Sequence, residues 1–157
     1  MNQSAQSERE LLCPSARAVP GAILVGVVGP DGKVGYVSPR IQIDADFVTR
    51  ASGGRAPEKR FRFAGRCVEA GCVFWQNERC HVVDSAVDVL DGNPDSASQL
   101  PRCAIRSDCR WFAQAGSHAC RVCPLVVTDV SERSNDRQAS ENPRCAAASA
   151  QEAGSYE

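Results

Sequence analysis

Large apolar side chains are scarce in this chain. Methionine occurs once, and its 157 residues include only two tryptophans, two tyrosines and five phenylalanines. Hydrophobic residues still make up 43%, an ordinary globular share. Ala, Val and Cys carry most of it, which predicts a thin core that needs other stabilisation, such as bound metal. No apolar run is long. Ala22 to Val28 is the longest stretch, far below the roughly 20 residues that span a bilayer. The polar start, with Glu8, Arg9 and Glu10, lacks the basic-then-apolar order of a secretory signal. A cytoplasmic protein with no membrane partner is expected.

Net charge is also nearly absent, at −1, so no global field draws the chain to nucleic acid or membrane. Lysine is rare: Lys33 and Lys59 stand alone among 18 basic residues, and the rest are arginine. No Ser–His–Asp arrangement, paired-carboxylate motif or Gly-rich phosphate loop occurs, since Gly26 and Gly29 belong to a hairpin. A self-sufficient enzyme is therefore not expected.

Cysteine is what the chain has in excess. Eight of the nine cysteines form two sets of four, and each set contains one cysteine followed by proline. The first set is Cys13 (before Pro14), Cys67, Cys72 and Cys80. The second is Cys103, Cys109, Cys120 and Cys123 (before Pro124). Thiols in a reducing compartment read as metal ligands or catalytic groups rather than disulfides. Four thiolates per site is the ligand count of an iron–sulfur cluster or a structural zinc. Zinc sites recruit ligands in short pairs, of which Cys120 and Cys123 form the tightest here, while most of the other gaps are longer. Irregular spacing and the Cys-Pro steps favour clusters.

The cysteine region also repeats itself. Cys67, Cys72, Phe74-Trp75 and Gln76 recur in order as Cys103, Cys109, Trp111-Phe112 and Gln114. Cys80 with Val82-Val83, and Cys123 with Val126-Val127, close the two units. Repeat units of about 67–90 and 103–130 are expected, each around one metal site. The first unit lacks a fourth cysteine, which Cys13 would supply. The aromatic pairs Phe74, Trp75 and Trp111, Phe112 would shield the clusters. His81 is an alternative ligand for the first site. His118 reads as an ordinary histidine at a helix end.

Local patterns fill in the frame. Ala22 to Val28 and Lys33 to Val37 read as a β-hairpin around the turn Gly29-Pro-Asp-Gly32. Asp44 would cap a short helix through Phe47 to Ala51. Arg60-Phe-Arg-Phe63 alternates as a half-buried strand does, within a basic segment over 50–66. His81 to Leu90 has helical periodicity, broken at Gly92-Asn-Pro94. Ser107 would cap a helix through Trp111 and Phe112, ended by Gly116. Residues 1–10 and the tail 131–157, which holds Cys145, read as disordered.

The expected molecule is α+β. It is a small metal-stabilised domain over 11–130, with an N-terminal β-hairpin and two pseudo-repeated Cys-rich units of short helices and loops. The expected function is electron transfer to or from a partner enzyme through two 4Fe–4S clusters. One alternative is an iron–sulfur redox or oxygen sensor that uses the Arg-rich segment with Phe61 and Phe63 on nucleic acid. Another is a structural-zinc interaction module.

Overall fold

The computed structural model describes residues 10–93, 98–126 and Thr128. The expectations for 1–9 and 131–157, including Cys145, lie outside these residues. The described part mixes helices with antiparallel strands, as an α+β chain should. Among the described residues, no helix is long and apolar enough to cross a membrane.

The main sheet has four strands: β1 (Leu12–Ala16), β2 (Ile23–Val28), β3 (Val34–Gln42) and β4 (Phe61–Arg66), in the order β1-β4-β2-β3. The expected hairpin is β2–β3. The Gly29 N–H donates to Lys33 O at 2.8 Å across its turn, and Gly32 takes a φ of 76° that glycine tolerates. β3 runs on to Gln42, past a register irregularity, and so extends beyond the expected Val37.

β1 has little strand signal, because Pro14 lies within it. Proline is accepted in edge strands, and β1 is an edge, paired antiparallel with β4 through Leu12–Arg66 and Cys13–Gly65. A bridge from Leu12 to Cys109 covers its outer side.

The sheet is covered on both faces. On one, Phe61 and Phe63 of β4 pack edge-on against Phe47, with ring centroids 5.5 and 6.2 Å away. Phe47 lies on α1 (Ala45–Ala51), whose N-cap is Asp44 as expected, accepting from the Phe47 N–H at 2.8 Å. Helix α2 (Pro57–Arg60) is a single turn leading into β4. The other face meets α3 (His81–Leu90) and α4 (Arg110–Val122) through Val25, Ala64, Val83, Ile105, Trp111 and Ala119. This second cover corrects one expectation. Arg62 alternates with the phenylalanines but is only 1% exposed, because the cysteine region lies over its face.

The helix around Trp111 also differs from the expectation. Ser107 belongs to a tight helical turn, Arg106–Asp108, and Cys109 is the N-cap of α4. Gly116 adopts the non-helical values φ 59°, ψ −138°, which end the first helical stretch of α4 where the sequence placed a stop. Helical backbone resumes and carries Cys120 and Val122. A short hairpin, β5 (Trp75–Gln76) with β6 (Arg79–Cys80), precedes α3. Its turn places Asn77 and Glu78 at positive φ, as a type I′ turn requires.

Candidate metal centre

The first four thiols meet through backbone pairing. Cys13 sits in β1 opposite Gly65, and the chain leaves β4 directly into Cys67. The Cys67 N–H donates to Leu11 O at 2.8 Å, which carries the β1–β4 ladder one step further. A tight turn (Glu69–Gly71) follows, closed by the Cys72 N–H on Glu69 O at 2.8 Å. The β5–β6 hairpin then folds Cys80 back opposite Trp75, whose N–H donates to Cys72 O at 3.1 Å. Burial pushes the Cys13 thiol up to about 12. The Ser15 backbone N–H opposes this, and Cys67, Cys80 and Cys72 push it further. Thiols that shift one another in this way occupy one electrostatic neighbourhood.

Cys80 is held from the other unit. Gln114 of α4 accepts from the Cys80 N–H at 2.9 Å and donates to Cys80 O at 2.9 Å. The same amide donates to Asp84 Oδ1 at 2.8 Å. Asp84 lies below the usual carboxylate range, chiefly because Arg79 pairs with it through two hydrogen bonds of 2.8 and 3.0 Å.

The second four thiols line one cavity together with Pro14, Tyr36, Arg106, Trp111 and Phe112. Cys103 precedes the Arg106–Asp108 turn, and Cys109 follows it as N-cap of α4. Cys120 and Cys123 are three residues apart at the end of α4, a spacing that places them on one side. Burial raises the thiols of Cys103, Cys109 and Cys120, taking Cys109 to about 12. Cys123 raises all three further.

Backbone amides work the other way. Ile105 and Arg106 hydrogen-bond Cys103, Phe112 and Trp111 hydrogen-bond Cys109, and the Arg106 side chain hydrogen-bonds Cys120. Such donors favour the thiolate, the form that ligates metal. None of the eight described cysteines is in a disulfide.

Polar groups converge on the second cavity. Arg62 donates to Cys123 Sγ at 3.3 Å and to Cys123 O at 3.1 Å, reaches Val126 O, and lies over the Trp111 ring. The Tyr36 hydroxyl and Trp111 Nε1 are buried without hydrogen-bond partners. Burial raises the Tyr36 hydroxyl above the usual phenol range, with Cys123 adding to the shift. Sequence reading missed Tyr36 and Arg62, because only the sheet register brings them to the cysteines.

The remaining expected residues fall as follows. Trp111 is buried and, with Phe112, lines the second cavity. Trp75 is half-buried under the Arg110 guanidinium, 4.9 Å from its ring centre, while Phe74 is 47% exposed. His81 is exposed at the start of α3, and its N–H donates to Phe74 O at 2.9 Å. His118 hydrogen-bonds Asp91 at 2.8 Å. In the basic segment, Arg60 reaches Ala51 O and Arg66 pairs with Glu10 at 3.0 Å.

Among the described residues, no group of three or more His, Cys, Asp or Glu side chains could hold a metal ion as the side chains stand. Comparison with known proteins returns no matching family model, curated protein or solved structure.

Proposed function

We propose that this chain is a small iron–sulfur protein with two clusters, each held by four cysteines, that passes single electrons to or from a partner protein. The observation that carries the reading is the grouping of the thiols: Cys13 responds to Cys67, Cys72 and Cys80, and Cys103, Cys109, Cys120 and Cys123 share a cavity. The donor set is pure sulfur, which suits iron–sulfur clusters. The buried, unpartnered Trp111 N–H, and the Tyr36 hydroxyl beside Cys123, fit a sulfur-rich acceptor at the second set.

A 4Fe–4S cluster is preferred to zinc because the gaps between the cysteines are mostly long and irregular, where zinc recruits short ligand pairs. The cavity between the second four is small, about 20 Å³, so a cluster would need these sulfurs and Phe112 to move outward. Once bound, a cluster would supply reversible one-electron chemistry. The chain supplies sulfur ligands, backbone donors that favour their charged form against burial, and an apolar wall of Ile105, Trp111 and Phe112 that excludes water.

Two further features of the reading gain support here. Each unit places a tight helical turn directly before its second cysteine, Glu69–Gly71 before Cys72 and Arg106–Asp108 before Cys109. That likeness supports a duplicated unit, which diverges afterwards into a hairpin in one copy and a helix in the other. A redox partner protein follows from the chemistry, since neither site offers a substrate pocket.

Anaerobic purification followed by iron, sulfide and zinc analysis tests the reading. Brown protein with broad absorption near ~400 nm, about eight irons and about eight sulfides per chain is expected. Colourless protein with stoichiometric zinc, or with no metal, overturns it.

A further inference from the structure

The second thiol set has charged and polar groups built around it. The second set faces a buried guanidinium and two buried donors. Arg62 is 1% exposed, yet among the described residues no carboxylate pairs with it. Its acceptors are Cys123 Sγ and the carbonyls of Cys123 and Val126. A buried cation without a counter-charge costs several kcal/mol, so an arginine here implies negative charge at the cysteines it touches.

The sheet explains how these groups reach one point. Gly26 of β2 pairs with Tyr36 of β3 on one side and with Arg62 of β4 on the other. Directly opposed residues in antiparallel strands project from the same face. Tyr36, Gly26 and Arg62 therefore form a row across the sheet, aimed at the end of α4. Glycine in the middle has a steric reason. A Cβ there would come within 2.5 Å of Val34 Cγ1 and 2.6 Å of Gly35 O, closer than real Cβ atoms approach. The missing side chain lets the strands draw together and leaves the space over Gly26 to its two neighbours.

Resting on the iron–sulfur reading, we infer that the row Tyr36–Gly26–Arg62 sets the reduction potential of the second site, holding it above the value the four thiols would give without these groups. Reduction adds one negative charge to the bound group with no bond made or broken. A nearby cation and hydrogen bonds to sulfur favour the more negative state. The electron comes from a one-electron donor protein, and a one-electron acceptor removes it.

Tyr36→Phe separates this role from simple packing. In protein stripped of metal the buried hydroxyl has only the Cys123 thiol beside it as a weak partner, so its removal should change stability little. In loaded protein the same change removes a donor to sulfur. The test is a redox titration of wild type, Tyr36→Phe and Arg62→Met, monitored by electron paramagnetic resonance, with iron and sulfide counted in each. Tyr36→Phe should keep both clusters and make reduction of the second site's couple, the one that persists in Cys13→Ser, about tenfold less favourable, about 59 mV for one electron. The first site's couple should stay in place. Arg62→Met should move the same couple further, and if it fails to fold Tyr36→Phe alone decides. Full cluster content with an unmoved second-site couple, or a shift confined to the first site's couple, overturns the inference while leaving the proposed function intact. Protein without iron and sulfide overturns both.

Discussion

Gln114 joins the two units, and replacing it gives a measurable expectation. Its side-chain amide makes three hydrogen bonds: it accepts one from Cys80 N–H and donates to Cys80 O and to Asp84. In Gln114→Leu the shape is kept and all three are lost. A neutral hydrogen bond contributes about 1 kcal/mol net, and one to a charged group about 1.5–3 kcal/mol. The gross loss is then about 4 kcal/mol. Gln114 and Cys80 are only half-buried, so water recovers part of it, most easily at Asp84. A net loss of about 2–3 kcal/mol remains, which is a large share of a small domain's stability. With a urea m-value of about 1–3 kcal/mol/M, the unfolding midpoint should fall by roughly 1–2 M. Gln114→Glu should be worse at neutral pH, because its carboxylate would face Cys80 O and Asp84 where the amide donated. The position of Cys80 predicts a second effect: loss of metal from the first site, with the second retained. Urea unfolding and iron counting on both variants check this. Two variants within about 0.5 kcal/mol of wild type, or losses confined to the second site, would refute the clamp.

Cys13→Ser should remove the first site's metal while Cys103, Cys109, Cys120 and Cys123 keep theirs, since serine is a poor replacement for a thiolate ligand. Two spectroscopic signals falling to one is the expected result; a protein that keeps both, while His81→Ala loses one, would make His81 the fourth ligand. Metal-free protein should lose stability above pH 9. The folded thiols of Cys13 and Cys109 lie near 12 against an ordinary 9.0, so their contribution is complete below pH 9 and declines as the unfolded chain ionises first. Denaturation of chelator-treated protein at pH 7.5 and pH 10.5 should show a loss on the order of a few kcal/mol; equal midpoints would contradict the burial of these thiols.

The sequence was most legible where a local pattern was sufficient. Branched residues around Gly29-Pro-Asp-Gly32 made the β2–β3 hairpin readable, Asp44 made the start of α1 readable, and apolar periodicity gave α3 its bounds. It was least legible where distant chain decides. Cys13-Pro-Ser reads as loop until β4 pairs with it. Arg60-Phe-Arg-Phe63 shows its alternation but not that a second layer covers the arginine face, so Arg62 looked solvent-facing. Gly116 reads as a stop and does break the helical backbone, but nothing local announces the second helical stretch beyond it, whose Ala119 and Val122 are buried. Cysteine order suggested the two sets. Tyr36 carries no local mark that would assign it to one of them.

The thiol sets are adjacent because one strand serves both. Cys13 faces the first set, while its neighbour Pro14 lines the cavity of the second. Leu12, on its other side, bridges to Cys109. Bringing Cys13 to Cys67 closes a loop of about 50 residues, at an entropic cost of roughly 3–4 kcal/mol. The β1–β4 ladder offsets part of that, and bound metal would offset more. The same closure builds a wall of the second cavity, so folding free energy gained at either site holds the strand that the other needs. Gln114 completes the arrangement from the opposite direction, reaching from α4 to the backbone of Cys80. Clusters at two sites that share a wall this way would be neighbours in the fold, and filling one would favour filling the other without being required for it. This gives the thin core a physical basis: the sheet, with its small residues, orders the cysteines, and the cysteines in turn complete the domain.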